Sequence, residues 1–243
     1  MTVPAVRPLA VVTGASRGLG AEVARLLAEE RYDLVLTARG PEALEATAGA
    51  LRARGGAVRV LPGDVADPRT RKALGEAVRG RGLDLLVNNA SELGPSPLPA
   101  LAALSSEDLE RILRVNTVAP VALVQALLEA LAAARGLVVN ITSDAAVGGY
   151  PGWGGYGASK AALELASKTL ARELAERKVA VVSVDPGDLR TAMHQAAFPG
   201  QDISDRPLPA VTAPFWRWLL HQEHDTISGG RFLAQADRWE VVR

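Results

Sequence analysis

The sequence predicts an α/β protein built on one doubly wound parallel sheet of about seven strands, and three observations predict it. Short runs rich in valine, leucine and isoleucine recur along the chain; a helical pattern follows most of them; and polar, often glycine-bearing motifs stand where these runs end. Strands that are apolar on both faces and separated by helices pair in parallel, with helices covering both sides of the sheet. In such a sheet ligands bind beyond the carboxyl ends of the strands.

The elements follow in order. "LAVVT" (9–13) reads as a buried strand, and "LGAEVARLLAEE" (19–30) as a helix with apolar positions at 19, 23, 26 and 27. The pair repeats as "DLVLTA" (33–38) with "PEALEATAGALRAR" (41–54), then as "AVRVLPGDV" (57–65) with "PRTRKALGEAVRGR" (68–81). "LDLLVNNA" (83–90) leads to a helix from about 106, opened by the cap-like "SSEDLERIL" with acidic residues in its first turn. Next come the strand "GLVVNITS" (136–143), a helix containing residues 156–176, the strand "VAVVSVDPG" (179–187) and a last strand near "GRFLA" (230–234). Residues 188–213 are irregular and bear prolines, and a segment that long is a candidate substrate-binding lid.

With 243 residues and 48% hydrophobic content the chain is expected to form one domain over 1–243. Twenty-seven basic residues balance 27 acidic ones, so no net field draws the protein to nucleic acid or to an anionic membrane, and a small molecule is the expected partner. No cysteine is present, which excludes disulfides, thiolate catalysis and cysteine-ligated zinc. "HQEH" (221–224) lacks the i, i+4 spacing of a zinc helix, so no metal site is expected. The beginning of the chain lacks a long apolar core with a cleavage site, and a cytoplasmic location is expected. The most apolar stretch (118–134) is interrupted by Gln125 and Glu129 and reads as a buried or interface helix rather than a membrane span.

"VVTGASRGLGAEVA" joins the first strand to the first helix. Gly14, Gly18 and Gly20 allow a tight turn and close backbone approach, and the helix that follows presents free N–H groups and a positive dipole end to a pyrophosphate. The plain alternative is a glycine turn with no ligand. The same letters match the G-x-S-x-G elbow of hydrolases, with Ser16 as nucleophile. That reading needs an oxyanion donor from an earlier strand–loop unit and a histidine partner; only one strand precedes Ser16, and no histidine stands in a context that selects it.

A site that prefers NAD usually places an acidic residue near the end of the second strand, to bind the ribose 2′-OH. Here that end carries Arg39, with Arg17 in the neighbouring glycine loop, and two guanidiniums suit a 2′-phosphate. NADP(H) is therefore the expected cofactor, NAD(H) a second choice, and a solvated Arg39 the plain alternative. Asp64, ending the third strand run, either accepts from the adenine amino group or caps the helix near Pro68. The asparagines of "VNNA" (87–90) need hydrogen-bond partners from backbone or nucleotide.

Tyr156 and Lys160 stand four apart on a predicted helix and so share a face. A positive charge about 4 Å from a phenol is worth up to ~4 kcal/mol at an effective dielectric of about 20, enough to bring its pKa close to 7. That lowering is the expected role of Lys160, because a phenol near 7 suits proton transfer. Ser143, ending the fifth strand run, would polarise a carbonyl oxygen that Tyr156 protonates. Asn116 lies four residues before Pro120, which deprives the Asn116 carbonyl of its helical donor and distorts the turn. Asn116 then either carries a proton relay toward Lys160 or simply satisfies the broken turn.

Taken in order, "TGASRGLG" (13–20), Asp64, "NNA" (88–90), Asn116, Ser143, "YGASK" (156–160) and "DPGDLRT" (185–191) resemble the short-chain dehydrogenase/reductase family, classical type, over about residues 8–193. The resemblance implies a seven-stranded Rossmann fold, a homo-oligomer (tetramer or dimer), and a catalytic tetrad of Asn116, Ser143, Tyr156 and Lys160. It implies a cofactor site drawn from Gly14, Ser16, Arg17, Gly18, Leu19, Gly20, Arg39, Asp64, Val65, Asn89 and Ala90, together with Tyr156, Lys160, Pro186, Gly187 and Thr191. Two departures stand out: Ser91 occupies the place of a glycine in the family's "NNAG", and the last strand lacks a "VDGG" ending. The expected activity is NADPH-dependent hydride transfer between the nicotinamide and a carbonyl or alcohol of a small, partly apolar substrate. The alternative from another class is a regulatory NADP(H)-binding redox sensor without turnover.

Overall fold

The computed structural model describes residues 7–54 and 56–240; the reading of the first six residues, and the last three of the final segment, lie outside it. Seven strands form one sheet: β1 (Leu9–Thr13), β2 (Asp33–Thr37), β3 (Val58–Val60), β4 (Leu85–Asn88), β5 (Leu137–Ile141), β6 (Ala180–Asp185) and β7 (Arg231–Leu233). Their order is β3-β2-β1-β4-β5-β6-β7, and every pairing is parallel. The inner strands hold Val, Leu and Ala that are almost wholly buried on both faces, for example Val11 and Val12 at 0% exposure. Alternate residues of one strand therefore enter opposite cores: Val12 and Val139 pack on one side of the sheet, Val11 and Val138 on the other.

Helices α1 (Gly18–Glu29), α2 (Pro41–Arg52), α3 (Pro68–Val78), α4 (Ser106–Leu113), α5 (Ala119–Ala134) and α6 (Gly154–Glu173) fill the crossovers. After β6 come three short helices, α7 (Ala192–Ala197), α8 (Ala213–Leu220) and α9 (His224–Ile227). Strand order reverses between β1 and β4, and this opens a crevice at the carboxyl ends of both. β3 is shorter than the run 57–65 suggested, although the chain keeps alongside β2 beyond it: the Leu61 and Gly63 N–H groups donate to the carbonyls of Leu36 and Ala38, and Pro62 stands between them where an N–H would face away from β2.

The run from Ser106 to Ala134 is long and apolar enough, by length and composition alone, to cross a membrane. One face of it instead meets the core through Leu123, Val124, Leu127 and Leu131. Pro120 has the predicted effect: the backbone at Arg114–Val118 widens into a π-helical turn, with the Ala119 N–H donating to the Arg114 carbonyl. The segment 188–213 is less irregular than its sequence suggests. It contains α7 and a 3-10 turn at Pro209–Thr212, buries Leu189 and Ile203, and is tied across itself by the Arg190 N–H to Pro207 O bond of 2.8 Å. Helix α8 buries Trp216 and Leu219 within an aromatic cluster that includes Phe215, Trp218, Phe232 and Trp239.

Candidate active site

The site grows from the β1–α1 turn. Gly14 and Gly18 take φ of +66° and +58°, conformations that side chains rarely adopt. A Cβ on Gly14 would stand 2.7 Å from the Asn89 amide nitrogen. Thr13 locks this turn to the end of β4: its hydroxyl donates to the Val87 carbonyl and accepts the N–H groups of Asn89 and Ala90 at 2.9 and 3.0 Å. Asn89 in turn donates its amide to the carbonyls of Thr13 (2.8 Å) and Gly14 (3.2 Å). Backbone thus partners Asn89, whereas Asn88 donates to Asn140, which donates to Ser167.

A cavity of about 760 Å³ runs along the carboxyl ends of the strands. Of the cofactor residues expected from sequence, all line it except Gly20, which supports the turn from below. Its walls continue to Leu93, Tyr150, Trp153, Met193, His194 and Phe198, so the lid candidate contributes side chains at one end. Arg39 and Arg17 stand at the other end, both exposed, and Arg39 reaches Glu92 at 3.4 Å. Asp64 lines the cavity and accepts the Ala66 N–H; the cap of α3 is Asp67, whose carboxylate accepts from Arg69 N–H, so the helix-cap reading of Asp64 does not hold. The second aspartate of this approach, Asp67, and not the first stands directly before Pro68, which is the position a cap must occupy.

Ser143 follows β5 and caps a 3-10 turn at Asp144–Ala146, donating to Asp144 Oδ1 (3.0 Å) and accepting the Ala145 N–H (3.2 Å). Tyr156 and Lys160 lie in the first turns of α6, with the Lys160 Nζ 5.4 Å from the Tyr156 ring centroid. Lys160 is 2% exposed and donates to the Ile141 carbonyl at 2.8 Å. Their electrostatics differ from the sequence expectation. Burial pushes the Lys160 ammonium down to about 7, and the Tyr156 phenol is held well above its ordinary value, chiefly by burial. Hydrogen bonding from Ser91 and Ser143 acts the other way, and the carboxylates of Asp185 and Asp144 add to the rise. The expected lowering of the phenol by Lys160 is therefore corrected: burial dominates and raises it, and the ammonium sits over the ring rather than at the hydroxyl.

Asn116 does not line the cavity; it lies 1% exposed behind it. Its oxygen accepts the Ser91 hydroxyl (3.1 Å) and the Glu92 N–H (2.7 Å), and its amide donates to the Glu92 carbonyl (2.8 Å) and Ser159 Oγ (2.9 Å). No hydrogen bond joins its side chain to Lys160 among the described residues. Ser159 completes the link by donating to the Tyr156 carbonyl at 2.6 Å. The reading from sequence missed Thr13, Ser159, and the ionic group of Glu164, Asp185 and Arg231. Thr13, Ser159 and Asp185 lay within the quoted motifs without a role of their own, and the ionic group meets only through the tertiary fold.

An aromatic acid–base candidate, a serine and a lysine converge at one end of a cavity whose other end is a glycine turn at the strand-order reversal. The residues fit a dinucleotide: Gly14 has no room for a side chain, Gly14 and Gly18 both take left-handed φ that let the backbone come close to a ligand, and Arg17 and Arg39 line the same cavity with charge suited to phosphates. Comparison with known proteins agrees. The sequence profile of the short chain dehydrogenase family matches residues 8–202. Sepiapterin reductase from Bos taurus is 36% identical over 205 residues, covering 79% of this chain and 76% of the relative. Nodulation protein G from Rhizobium sp. (strain N33) is 36% identical over 187 residues, covering 76% and 74%. A solved short chain dehydrogenase from Shigella flexneri 2a, complexed with NADP, superposes with a TM-score of 0.87 at 30% identity, covering 94% of this chain and 97% of that one. The chain belongs to the short chain dehydrogenase family and is an oxidoreductase acting on CH–OH and C=O groups.

Proposed function

We propose that the protein is an NADPH-dependent reductase of small, uncharged, partly apolar carbonyl compounds. The observation that carries this reading is the convergence of Ser143, Tyr156 and Lys160 on one cavity that continues to Arg17 and Arg39. When bound, the dinucleotide supplies the hydride that reduces the carbonyl carbon. Arg39 and Arg17 would hold its 2′-phosphate, the turn from Gly14 to Leu19 its pyrophosphate, Asp64 its adenine, and Pro186, Gly187 and Thr191 its nicotinamide end. The NADP complex of the Shigella relative supports the same choice.

Ser143 hydrogen-bonds the carbonyl oxygen and holds it beside Tyr156. Tyr156 then gives its phenolic proton to that oxygen. A phenol held above its ordinary pKa is protonated at neutral pH, so the proton is present to be given, although the same rise makes it a weaker acid than a phenol near 7. Lys160, anchored on the Ile141 carbonyl, would hold the nicotinamide ribose and stabilise the phenolate left behind. Asn116 keeps the π-helical turn in place, and the carbonyl freed by Pro120 would anchor a water that resupplies the proton. Leu93, Trp153, Met193 and Phe198 supply apolar walls for the substrate. Val118, 55% exposed in the π-helical turn before α5, and Leu165, 69% exposed on α6, support a homo-oligomeric assembly through this region.

The test is NADPH consumption with a panel of ketones, aldehydes and sugars. At least one should be reduced, and Tyr156→Phe should abolish turnover while NADPH still binds. Cofactor binding without oxidation by any member of the panel would overturn the proposal in favour of a redox sensor.

A further inference from the structure

The mechanism leaves one buried ionic group unused. Arg231, the first residue of β7, sends its guanidinium beneath the site, with 21% of its side chain exposed. Its Nε donates to Glu164 Oε1 at 2.8 Å, and its Nη2 donates to Asp185 Oδ2 at 3.1 Å and to the Ser143 carbonyl at 3.3 Å. Each acceptor belongs to a different part of the site. Glu164 lies one turn beyond Lys160 on α6 and also accepts the Thr142 hydroxyl at 2.7 Å. Asp185 ends β6 and accepts the Gly187 N–H at 2.9 Å. Ser143 carries the hydroxyl that faces the substrate. Four residues after Arg231, Gln235 donates to the carbonyls of Pro186 and Asp188 at 2.9 and 3.2 Å, so β7 and its extension hold this loop twice.

We propose that Arg231 is a positioning residue for the reaction: one guanidinium fixes Ser143, the Asp185–Gly187 corner and α6 relative to one another. A planar fork with five donors on a fixed frame can do this, and a lysine, with its donors at one point, cannot reach all three acceptors together. The carboxylates of Glu164 and Asp185 hold the fork in turn, since their side chains are only 10% and 4% exposed and have no comparable cation elsewhere among the described ion pairs. The final strand, whose sequence departs from the family pattern, is thereby part of the active site rather than only the edge of the sheet.

The inference rests on the proposed role of Ser143, and the experiment separates the two. Wild type, Arg231→Lys, Ser143→Ala and the double variant are compared for kcat and KM, with NADPH and whichever carbonyl of the panel turns over fastest. NADPH binding is followed by its fluorescence. Ser143→Ala should lower kcat on the order of 100-fold. Arg231→Lys, which keeps the charge, should lower kcat about tenfold with the NADPH dissociation constant within about twofold of wild type. In the Ser143→Ala background Arg231→Lys should cause a smaller further loss than it does in wild type, because the hydroxyl is gone while the Asp185–Gly187 corner and α6 still depend on the guanidinium. Glu164→Gln, which loosens the fork without touching the cavity, should reproduce the kcat loss if Arg231→Lys folds poorly. An unchanged kcat in both Arg231→Lys and Glu164→Gln overturns the inference, and so do losses that multiply in the double variant. An unchanged kcat in Ser143→Ala overturns the proposed role of Ser143, and the inference with it.

Discussion

Glycine-to-alanine substitution at two helical positions should have opposite signs, and the contrast tests whether the β1–α1 turn is as tight as its geometry requires. Gly20 is the third residue of α1; a Cβ there would stand 2.4 Å from both the Asn89 amide nitrogen and the Gly14 carbonyl oxygen. Ordinary contact begins about 1 Å further out, so Asn89 or the turn must move by about that distance. Overpacking of this kind costs about 1–3 kcal/mol. Displacing Asn89 weakens its bonds to the carbonyls of Thr13 and Gly14, at about 1 kcal/mol each. Alanine's better helix propensity returns at most about 1 kcal/mol. Gly20→Ala is thus expected to lose about 2–4 kcal/mol, which for a chain of this size lowers Tm by roughly 4–16 °C. It should also weaken NADPH binding, since the same movement distorts the cavity rim. Gly49 is the control: it is exposed in α2 and a Cβ there meets nothing within 4 Å. Gly49→Ala should raise Tm by about 2–4 °C from propensity alone. Differential scanning calorimetry and a fluorescence titration with NADPH read both effects. A Gly20→Ala protein that melts with wild type and binds NADPH normally would refute the reasoning.

Other outcomes follow from the same structure. Lys160 has a folded pKa near 7 against an ordinary 10.5, so between those values the unfolded chain binds the extra proton and stability from this group rises with pH; chemical denaturation from pH 7 to 10 should show that slope in wild type and not in Lys160→Met. Asn140, 1% exposed, accepts from Asn88 and donates to Ser167, so Asn140→Val should cost about 1–3 kcal/mol with the KM for NADPH unchanged, read by urea unfolding and steady-state kinetics. Arg39→Asp removes the guanidinium proposed to meet the 2′-phosphate; NADPH affinity should fall on the order of 100-fold while NADH affinity holds or improves, and unchanged NADPH affinity would sink that assignment.

What was legible in the chain follows from what is local. Val11, Val12, Val138 and Val139 read as parallel strands because they are apolar on both faces, and the glycine turn and the Tyr156–Lys160 pair read as a site because short spacings fix their geometry. Pro120 even announced its own defect, since the missing N–H must leave a carbonyl without its usual donor. The ends of strands were less legible: β3 is regular only over Val58–Val60, and the looser pairing of Leu61 and Gly63 with the β2 side leaves no mark in the apolar pattern of the run. Residues 188–213 lacked a period to read, because α7 and the 3-10 turn are short and are held by contacts such as Asp188 with Arg206. The guanidinium group under the site was invisible for the same reason: residues 164, 185 and 231 meet only once β7 lies beside β6 and α6 packs against them.

The one chemical expectation that reversed shows why spacing underdetermines reactivity. An i, i+4 pair guarantees that Tyr156 and Lys160 share a face, but a Coulomb estimate at that distance assumes that the lysine remains charged. The fold buries Lys160 to 2% exposure and offers its Nζ only a carbonyl, with no carboxylate beside it, so the ammonium itself becomes costly and its pKa falls to about 7. A lysine whose charge is made costly by burial exerts a weaker field on the phenol, and the carboxylates of Asp185 and Asp144 oppose what remains. At neutral pH the phenol therefore keeps its proton. Under the proposed mechanism, a tyrosine that has just given up its proton is the negative neighbour Lys160 lacks. The ammonium would then recover its charge as the phenolate forms, placing stabilisation on the state after proton transfer rather than before it.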